Sequence, residues 1–441
     1  MKNSLYCLII FIFLFNCSSK NDELLIDIKA FKNQGTKIIL EKNTQDLAKE
    51  VNKINKFSNY QSFNLKNWHH VNFQSSNFIP HMKFLGSLNI TDKNKFFSSV
   101  KLNTYEKNIL SFNDKIYYID DYGNIYTLDL NLRLINKFSL YKKKSFQDYW
   151  LKFSMASNGE FLFISDNLGN IYSYSPKLNK LLWTSSLGVP FISNLIFYKN
   201  NLYVVNENGK IYSFDSKTGN QNWSYESAAN IIKNYSAYQV TAELDKVIFS
   251  NDLGDIYCID LIQNKLVWSI NVEVNNMVSN SNSLLQFSKI LIKDDDVFFS
   301  INKKKLFNLS LVSGNIKWVK DLPGPSTITS LITPNNVINI TNNGYISILD
   351  KVNGLVLYRK KLLTNFKNLY KDETKFLLKY SFISSDHLYL ISEDGIFFKI
   401  STTNLKNFTY KKIIKSISSY PVVISNMLYI LDGNGTIYKI K

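Results

Sequence analysis

Residues 202–223 read LYVVNENGKIYSFDSKTGNQNW, and each piece has a physical assignment. LYVVN alternates its side chains as a strand does, Asn208-Gly209 is a tight hairpin turn whose glycine tolerates positive φ, and KIYSFD is a second alternating strand. SKTG (residues 216–219) has turn composition, and the strand after it carries Trp223, a large ring whose N–H needs a partner when buried. Upstream, PFISNLIF (residues 190–197) supplies one more strand, closed by a turn at residues 199–201. The stretch predicts four antiparallel strands joined by short turns.

With Gly209 as index, the pattern G-x-(I/F)-(Y/S/F) recurs at Gly123, Gly169, Gly254, Gly344, Gly395 and Gly435, and KKLF (residues 304–307) keeps the frame without its glycine. Eight units result, spaced 46, 40, 45, 50, 40, 51 and 40 residues apart. Fourteen residues after the index stand Trp183, Trp223, Trp268, Trp318 and Tyr358, a second anchor in strict register. Unit one has Lys137-Phe138 there and unit seven Thr409-Tyr410, an aromatic displaced by one residue. The last unit stops at GTIYKIK, one strand short, which leaves backbone groups unpaired along an edge. A strand around Trp68, in FNLKNWHHV, is expected to complete that unit, with Trp68 as its docking aromatic, and so to close a ring. The fold class predicted is all-β: an eight-bladed β-propeller of four-stranded antiparallel blades over residues 64–441.

The chain begins MKNSLYCLIIFIFLFNCSS, with one lysine, an apolar run of eleven residues (5–15) and then Cys17. A helix needs about 20 apolar residues to cross a bilayer core, so residues 1–16 read as an export signal. LFNC (residues 14–17) resembles a bacterial lipoprotein signal, with Leu14 three before the cysteine, although Phe15 and Asn16 replace the usual small residues. That resemblance implies lipid attachment at Cys17; ordinary cleavage near Ser19 and an uncleaved anchor are the alternatives. Ser18 is compatible with transfer to the outer membrane, where several acyl chains, each contributing about 0.8 kcal/mol per buried methylene, make a stable anchor. Residues 17–63 lack the repeat and read as a tether. Within it, Leu47, Val51 and Ile54 fall on one face of a short helix expected over residues 41–57, either a partner-binding element or a solvated linker.

Chemistry-bearing clusters are scarce. Cys7 lies in the signal, and Cys258 fills a slot held by Thr127, Ser173, Ser213, Asn308 and Ser347 in other units, so it reads as a small core residue outside any disulfide framework. His69 and His70 point to opposite faces of a strand, His81 and His387 stand far away, and no metal is expected. The acidic run at residues 294–296 matches a hairpin tip, and Asp129, Asp215, Asp260 and Asp350 recur where a carboxylate can accept N–H bonds from a turn. Net charge is +17, yet basic runs at 142–144, 303–305 and 359–361 fall in different units. Acidic surfaces remain open as partners, while nucleic acid is not expected.

The residue after the docking tryptophan is Thr184, Ser224, Ser269 or Val319, so the Trp-Asp signature of WD40 blades is absent, as is a kelch-type Gly-Gly pair. GKIYSFDSKTGNQNW resembles instead the quinoprotein (PQQ-type) repeat. Taken with the signal, the tether, the unit number and the ending on GTIYKIK, the chain resembles the BamB family, the propeller lipoproteins of the outer-membrane β-barrel assembly (BAM) machinery. NWHHVNFQSSNFIPH (residues 67–81) resembles the N-terminal closing segment of its α-proteobacterial members. The resemblance implies a non-enzymatic scaffold without a cofactor, lipid-anchored on the periplasmic side of the outer membrane. It would bind BamA-like POTRA domains of the barrel-inserting subunit and other BAM subunits, and assist insertion of β-barrel proteins, with unfolded outer-membrane proteins as candidate clients. IIKNYSA (residues 231–237) matches a family contact loop, which implies Ile232 and Lys233 in the interface. Asn230 stands where the family has an aliphatic residue, and the family's acidic residues are missing from NNMVSNSNSLLQF (residues 275–287). Two readings from other classes remain. One is a PQQ-dependent quinoprotein dehydrogenase with Ca²⁺ in its central funnel, disfavoured by compact units and one mature cysteine. The other is an adhesion or carbohydrate-binding propeller, which leaves no motif.

Overall fold

Asn201–Val205, Lys210–Asp215 and Gln221–Glu226 are consecutive antiparallel strands, with Tyr203 opposite Ser213 and Ser213 opposite Trp223. The strand before them is shorter than its alternation suggests, only Ile196–Tyr198, because Ser193 Oγ accepts the Val205 N–H at 2.8 Å. The computed structural model describes residues 47–441 apart from 55, 58–60, 96–106, 142–150, 229–233, 235–236, 273–283, 303 and 363–375. Among these residues there is no α-helix, and strands are arranged as eight sheets in simple sequential order.

Blade 1 runs from Ile109–Phe112 at the axis to Leu134–Ser139 outside, blade 2 from Phe153–Ser157 to Lys180–Ser186, and blade 3 from Ile196–Tyr198 to Gln221–Glu226. Blade 4 spans Val240–Glu243 to Lys265–Asn271, blade 5 Leu291–Lys293 to Ile316–Asp321, blade 6 Leu331–Ile332 to Val356–Lys361, and blade 7 Leu378–Ser384 to Phe408–Lys412. Blade 8 starts at Val422–Ile424, which touches the first strand of blade 1 and closes the ring. The fold is an eight-bladed β-propeller. Burial follows from it: axial strands such as Phe153–Ser157 are wholly buried, whereas the outer strand Lys180–Ser186 alternates between exposed and half-buried residues. The index turns hold a left-handed residue throughout, φ +74° at Gly209, and Lys304 keeps φ +62° where the glycine is lost. That lysine costs about 1 kcal/mol in backbone strain.

The closing strand comes from the N-terminal side of blade 1, as expected, but it is not the Trp68 stretch. Ile90–Lys95 supplies the fourth strand of blade 8, pairing Ile90 with Ile440 and Lys95 with Thr436. Its sequence, ITDKNK, is almost wholly exposed and suits an outer edge. The apolar Trp68 stretch goes to the axis instead, where Trp68 bridges Ser111. A second difference concerns residues 41–57, of which 41–46 and 55 lie outside the described residues. Val51–Asn52 are extended, not helical, and add a fifth strand to blade 6 by pairing Val51 with Arg359 and Asn52 with Tyr358. So short a helix is marginal in water, and the edge of blade 6 offers backbone partners that a helix forgoes.

Candidate partner-binding faces and the closed channel

The docking aromatics join neighbouring blades. Trp183 Nε1 donates to Ser216 O at 3.1 Å, Trp268 Nε1 to Leu311 O at 2.9 Å, and Trp318 Nε1 to Lys351 O at 3.0 Å. In each case the acceptor opens the third-to-fourth-strand turn of the next blade. The turn's glycine lies under the indole: a Cβ on Gly219, Gly314 or Gly354 would stand 2.5, 2.6 or 2.8 Å from it. Trp223 contacts Tyr203 at 6.0 Å between ring centroids, and Asn264, with φ +54°, takes the glycine's place in the turn of blade 4. Tyr358 is buried in the seam between blades 6 and 7. In blade 1 the displaced Phe138 reaches Tyr174 of blade 2 at 5.1 Å, while Lys137 lies over Tyr126.

Trp68 does something else. Residues 63–85 circle one end of the axis and bond to every blade. Trp68 N and O pair with Ser111 O and N in blade 1, at 2.6 and 2.9 Å, and His69 O accepts Ser157 N of blade 2 at 2.9 Å. His70 Nε2 sits 3.1 Å from Phe197 N and 3.0 Å from Phe197 O of blade 3. Ser75 O and Ser76 O accept Ala242 N and Ile292 N of blades 4 and 5, and Asn72 Nδ2 donates to Thr329 Oγ1 at the entry to blade 6. Met82 bonds Ile383 O and Ser385 N of blade 7, and Leu65 O accepts Ser425 N of blade 8. Trp68, Asn72, Ser76 and Asn77 are almost wholly buried, so this end of the channel is filled by the chain itself. The signal in the sequence was there but mute: amides and hydroxyls (VNFQSSN) among aromatics supply the bonds an axial crossing needs, with Phe73 at φ +72° and Asn77 at φ +54° bending it.

The titratable groups have structural partners. Burial drives the His70 imidazole down to about 3, so it stays neutral, and lowers His69 and His81 as well. Burial also pushes the Cys258 thiol up to about 12. Asp215 Oδ1 accepts Thr218 N and Lys217 N at 2.8 and 3.0 Å, and these bonds, Thr218 foremost, hold its carboxyl below the usual range. Asp260 is drawn to about 2 by Lys246 and by the N–H groups of its own turn. At the acidic hairpin, Lys317 Nζ stands 2.8 Å from Asp296 and 3.1 Å from Asp295. Among the described residues no group of three or more His, Cys, Asp or Glu side chains has the arrangement of a metal site. A second series escaped sequence reading: Asp120, Asp166, Asn206, Asn251 and Asp432 each cap the index turn through side-chain oxygen, for example Asp120 Oδ1 to Tyr122 N and Asn124 N at 2.9 and 2.8 Å. Beside it, Lys107 and Asp121 form a buried ion pair at 2.9 Å.

Ile232 and Lys233 fall in the connection from blade 3 to blade 4 and lie outside the described residues, as does Cys17. Antiparallel order puts the described flanks of that connection at the end of the ring opposite the plug. There the Asn234 amide donates to Leu285 O, tying the entry of blade 4 to that of blade 5.

The ring is similar to quinoprotein-type propellers among known proteins. The family model described as outer membrane protein assembly factor BamB matches residues 143–360. An uncharacterized protein of Rickettsia prowazekii (strain Madrid E) is 21% identical over 398 residues, covering 75% of this chain and 91% of its own. Among solved structures, BamB from Moraxella catarrhalis superposes with a TM-score of 0.64 at 13% identity, covering 80% of this chain and 99% of its own. A europium-containing methanol dehydrogenase superposes with a TM-score of 0.61 at 11% identity, covering 85% and 89%. Over residues 143–360 the chain is similar to BamB and to other propellers of the PQQ-repeat type.

Proposed function

We propose that the protein is a non-enzymatic scaffold of the outer-membrane protein assembly machinery, held on the periplasmic side of the outer membrane by a lipid on Cys17. It binds the POTRA domains of the barrel-inserting subunit through the connections on the open end of the ring, with Ile232 and Lys233 in the contact. The observation that carries this reading is the family match across residues 143–360, the blades that flank the connection holding Ile232 and Lys233. The self-filled channel supports it further, because a ring whose axis is occupied by its own residues 68–77 offers its loops and rim to partners. The test is capture of the tagged full-length protein from its native envelope in mild detergent, with mass spectrometry of partners and of the bait's N-terminus. Recovery of a POTRA-containing barrel protein, lost on Ile232→Glu with Lys233→Glu, is the expected result, together with an acylated Cys17. Copurifying quinone absorbance without such a partner would replace the scaffold by the dehydrogenase reading.

A further inference from the structure

The seam between blades 6 and 7 departs from the rule that joins blades 2 and 3, 4 and 5, and 5 and 6. Blade 6 carries Tyr358 in place of tryptophan, and the turn of blade 7 that should receive it is one residue longer: Ser401 N bonds Asn407 O, whereas Asp215 N bonds Asn220 O. Leu405 stands where the turns of blades 2 to 6 have glycine or asparagine, and none of residues 402–407 takes positive φ. No indole can lie flat on such a turn. Even so, the carbonyl that would accept the indole N–H is used. Thr402 O, equivalent to Ser216 O, Leu311 O and Lys351 O, accepts the backbone N–H of Phe57 at 3.1 Å. Phe57 is buried among Tyr358, Phe398, Ile400 and Leu405. The segment before the repeats thus delivers the missing docking ring, and Val51–Asn52 hold it there by strand addition to Tyr358 and Arg359.

Three features show that this arrangement is not saturated. The ladder is two residues long, with Lys53 N to Leu357 O at 2.9 Å as its further bond. A small apolar groove, with room for about one water molecule, remains beside it, lined by Ile346, Tyr358, Lys360, Leu388, Ile400 and Phe408. Arg359, 93% buried, gives Nη1 to Leu47 O at 3.1 Å, while its buried Nε has no hydrogen-bond partner. An edge strand, an apolar groove and an unsatisfied buried donor together make a peptide site by strand addition.

We propose that the blade 6–7 seam is an exchangeable binding site for an extended segment of a partner protein, one that pairs with Tyr358–Arg359, sets an aromatic ring against Thr402 about six residues later, and brings an acceptor to Arg359. Residues 47–54, with 56 and 57, are its resident occupant, kept in place by the high effective concentration that covalent attachment provides. The site does not depend on the assembly-scaffold reading, so its failure leaves capture of a POTRA partner untouched.

The test uses the full-length protein and a fluorescein-labelled peptide of residues 46–60 as probe. The wild-type protein, its site occupied, should bind the peptide weakly. Phe57→Ala should release the resident and tighten peptide binding at least about tenfold. Val51→Pro, which breaks the pairing without truncating a buried side chain, should do the same if Phe57→Ala fails to fold. A peptide carrying Phe57→Ala should lose that affinity, and Phe408→Glu in the groove should abolish it. If both folded variants bind the peptide no better than wild type, or bind the Phe57→Ala peptide equally well, the seam is a fixed part of the fold and the proposal is wrong.

Discussion

Gly314→Ala tests the docking rule at one atom. Gly314 has φ +71°, and a Cβ there would stand 2.6 Å from Trp268 Cδ2 and 2.7 Å from Cγ, where two carbons need about 3.5 Å. The substitution has two effects. An L-residue in left-handed conformation loses about 1 kcal/mol. Beyond that, the indole has to move by most of an ångström, which breaks the 2.9 Å bond from Nε1 to Leu311 O and opens a seam in which Trp268 is 8% exposed. Losing the bond and part of the packing adds about 1–3 kcal/mol. Gly188→Ala is the internal control, because its φ is +66° and nothing lies within 4 Å of its Cβ position, so only the conformational term of about 1 kcal/mol applies. Chemical denaturation followed by far-ultraviolet circular dichroism should place Gly314→Ala about 1–3 kcal/mol below Gly188→Ala. In a Trp268→Ala background that difference should vanish, since the ring it depends on is gone. Equal losses for the two alanines in the wild-type background would refute the idea that the glycine serves the tryptophan.

Two further outcomes follow from the buried polar groups. His70 stays neutral down to about pH 3 in the folded chain, while a free imidazole protonates near 6.5; the unfolded chain therefore binds a proton that the folded one refuses. Its contribution is whole above pH 6.5 and is lost as pH falls toward 3, by about 1.4 kcal/mol per unit, so His70→Gln should flatten the stability slope between pH 6 and pH 4 by close to one proton. An unchanged slope in denaturation curves would contradict the buried neutral ring. Lys107→Met alone should destabilise by about 3–5 kcal/mol, because it strands the Asp121 carboxylate that sits 2.9 Å away, and pairing it with Asp121→Leu should recover most of that loss in the same denaturation assay.

What the sequence made legible was whatever repeats locally. The index residue and the aromatic fourteen positions later are tied by one turn and one strand pairing, so their spacing survives from unit two to unit six, and Lys304 holds the glycine's φ where the glycine is lost. The Asp series could be assigned to turns for the same reason: Asp215 bonds residues two and three positions on. Residues 47–95 have no such local rule. Their partners lie far along the chain, Met82 O with Ser384 Oγ and Leu47 O with Arg359, and one stretch carries three unrelated jobs: a staple on blade 6, a plug on the axis and the outer strand of blade 8. The aromatic of Trp68 points to a blade strand, but burial decides the closing position: an outer edge suits the exposed ITDKNK, and the axis suits the apolar Trp68 stretch.

That same stretch bears on what the ring does. Likeness in fold is shared with BamB and with a methanol dehydrogenase alike, so the fold by itself does not separate a scaffold from an enzyme. The separation has to come from what differs between members of one fold, namely the axis and the rim. Here the axis end is bonded to all eight blades by residues 63–85, through buried backbone and amide groups that would each lose a partner if the plug withdrew. The rim, by contrast, carries a short strand addition on blade 6 beside an Arg359 Nε that has no hydrogen-bond partner. An unsatisfied buried donor next to a strand edge is a place where a partner gains binding free energy, and in this propeller Arg359 at the edge of blade 6 is one.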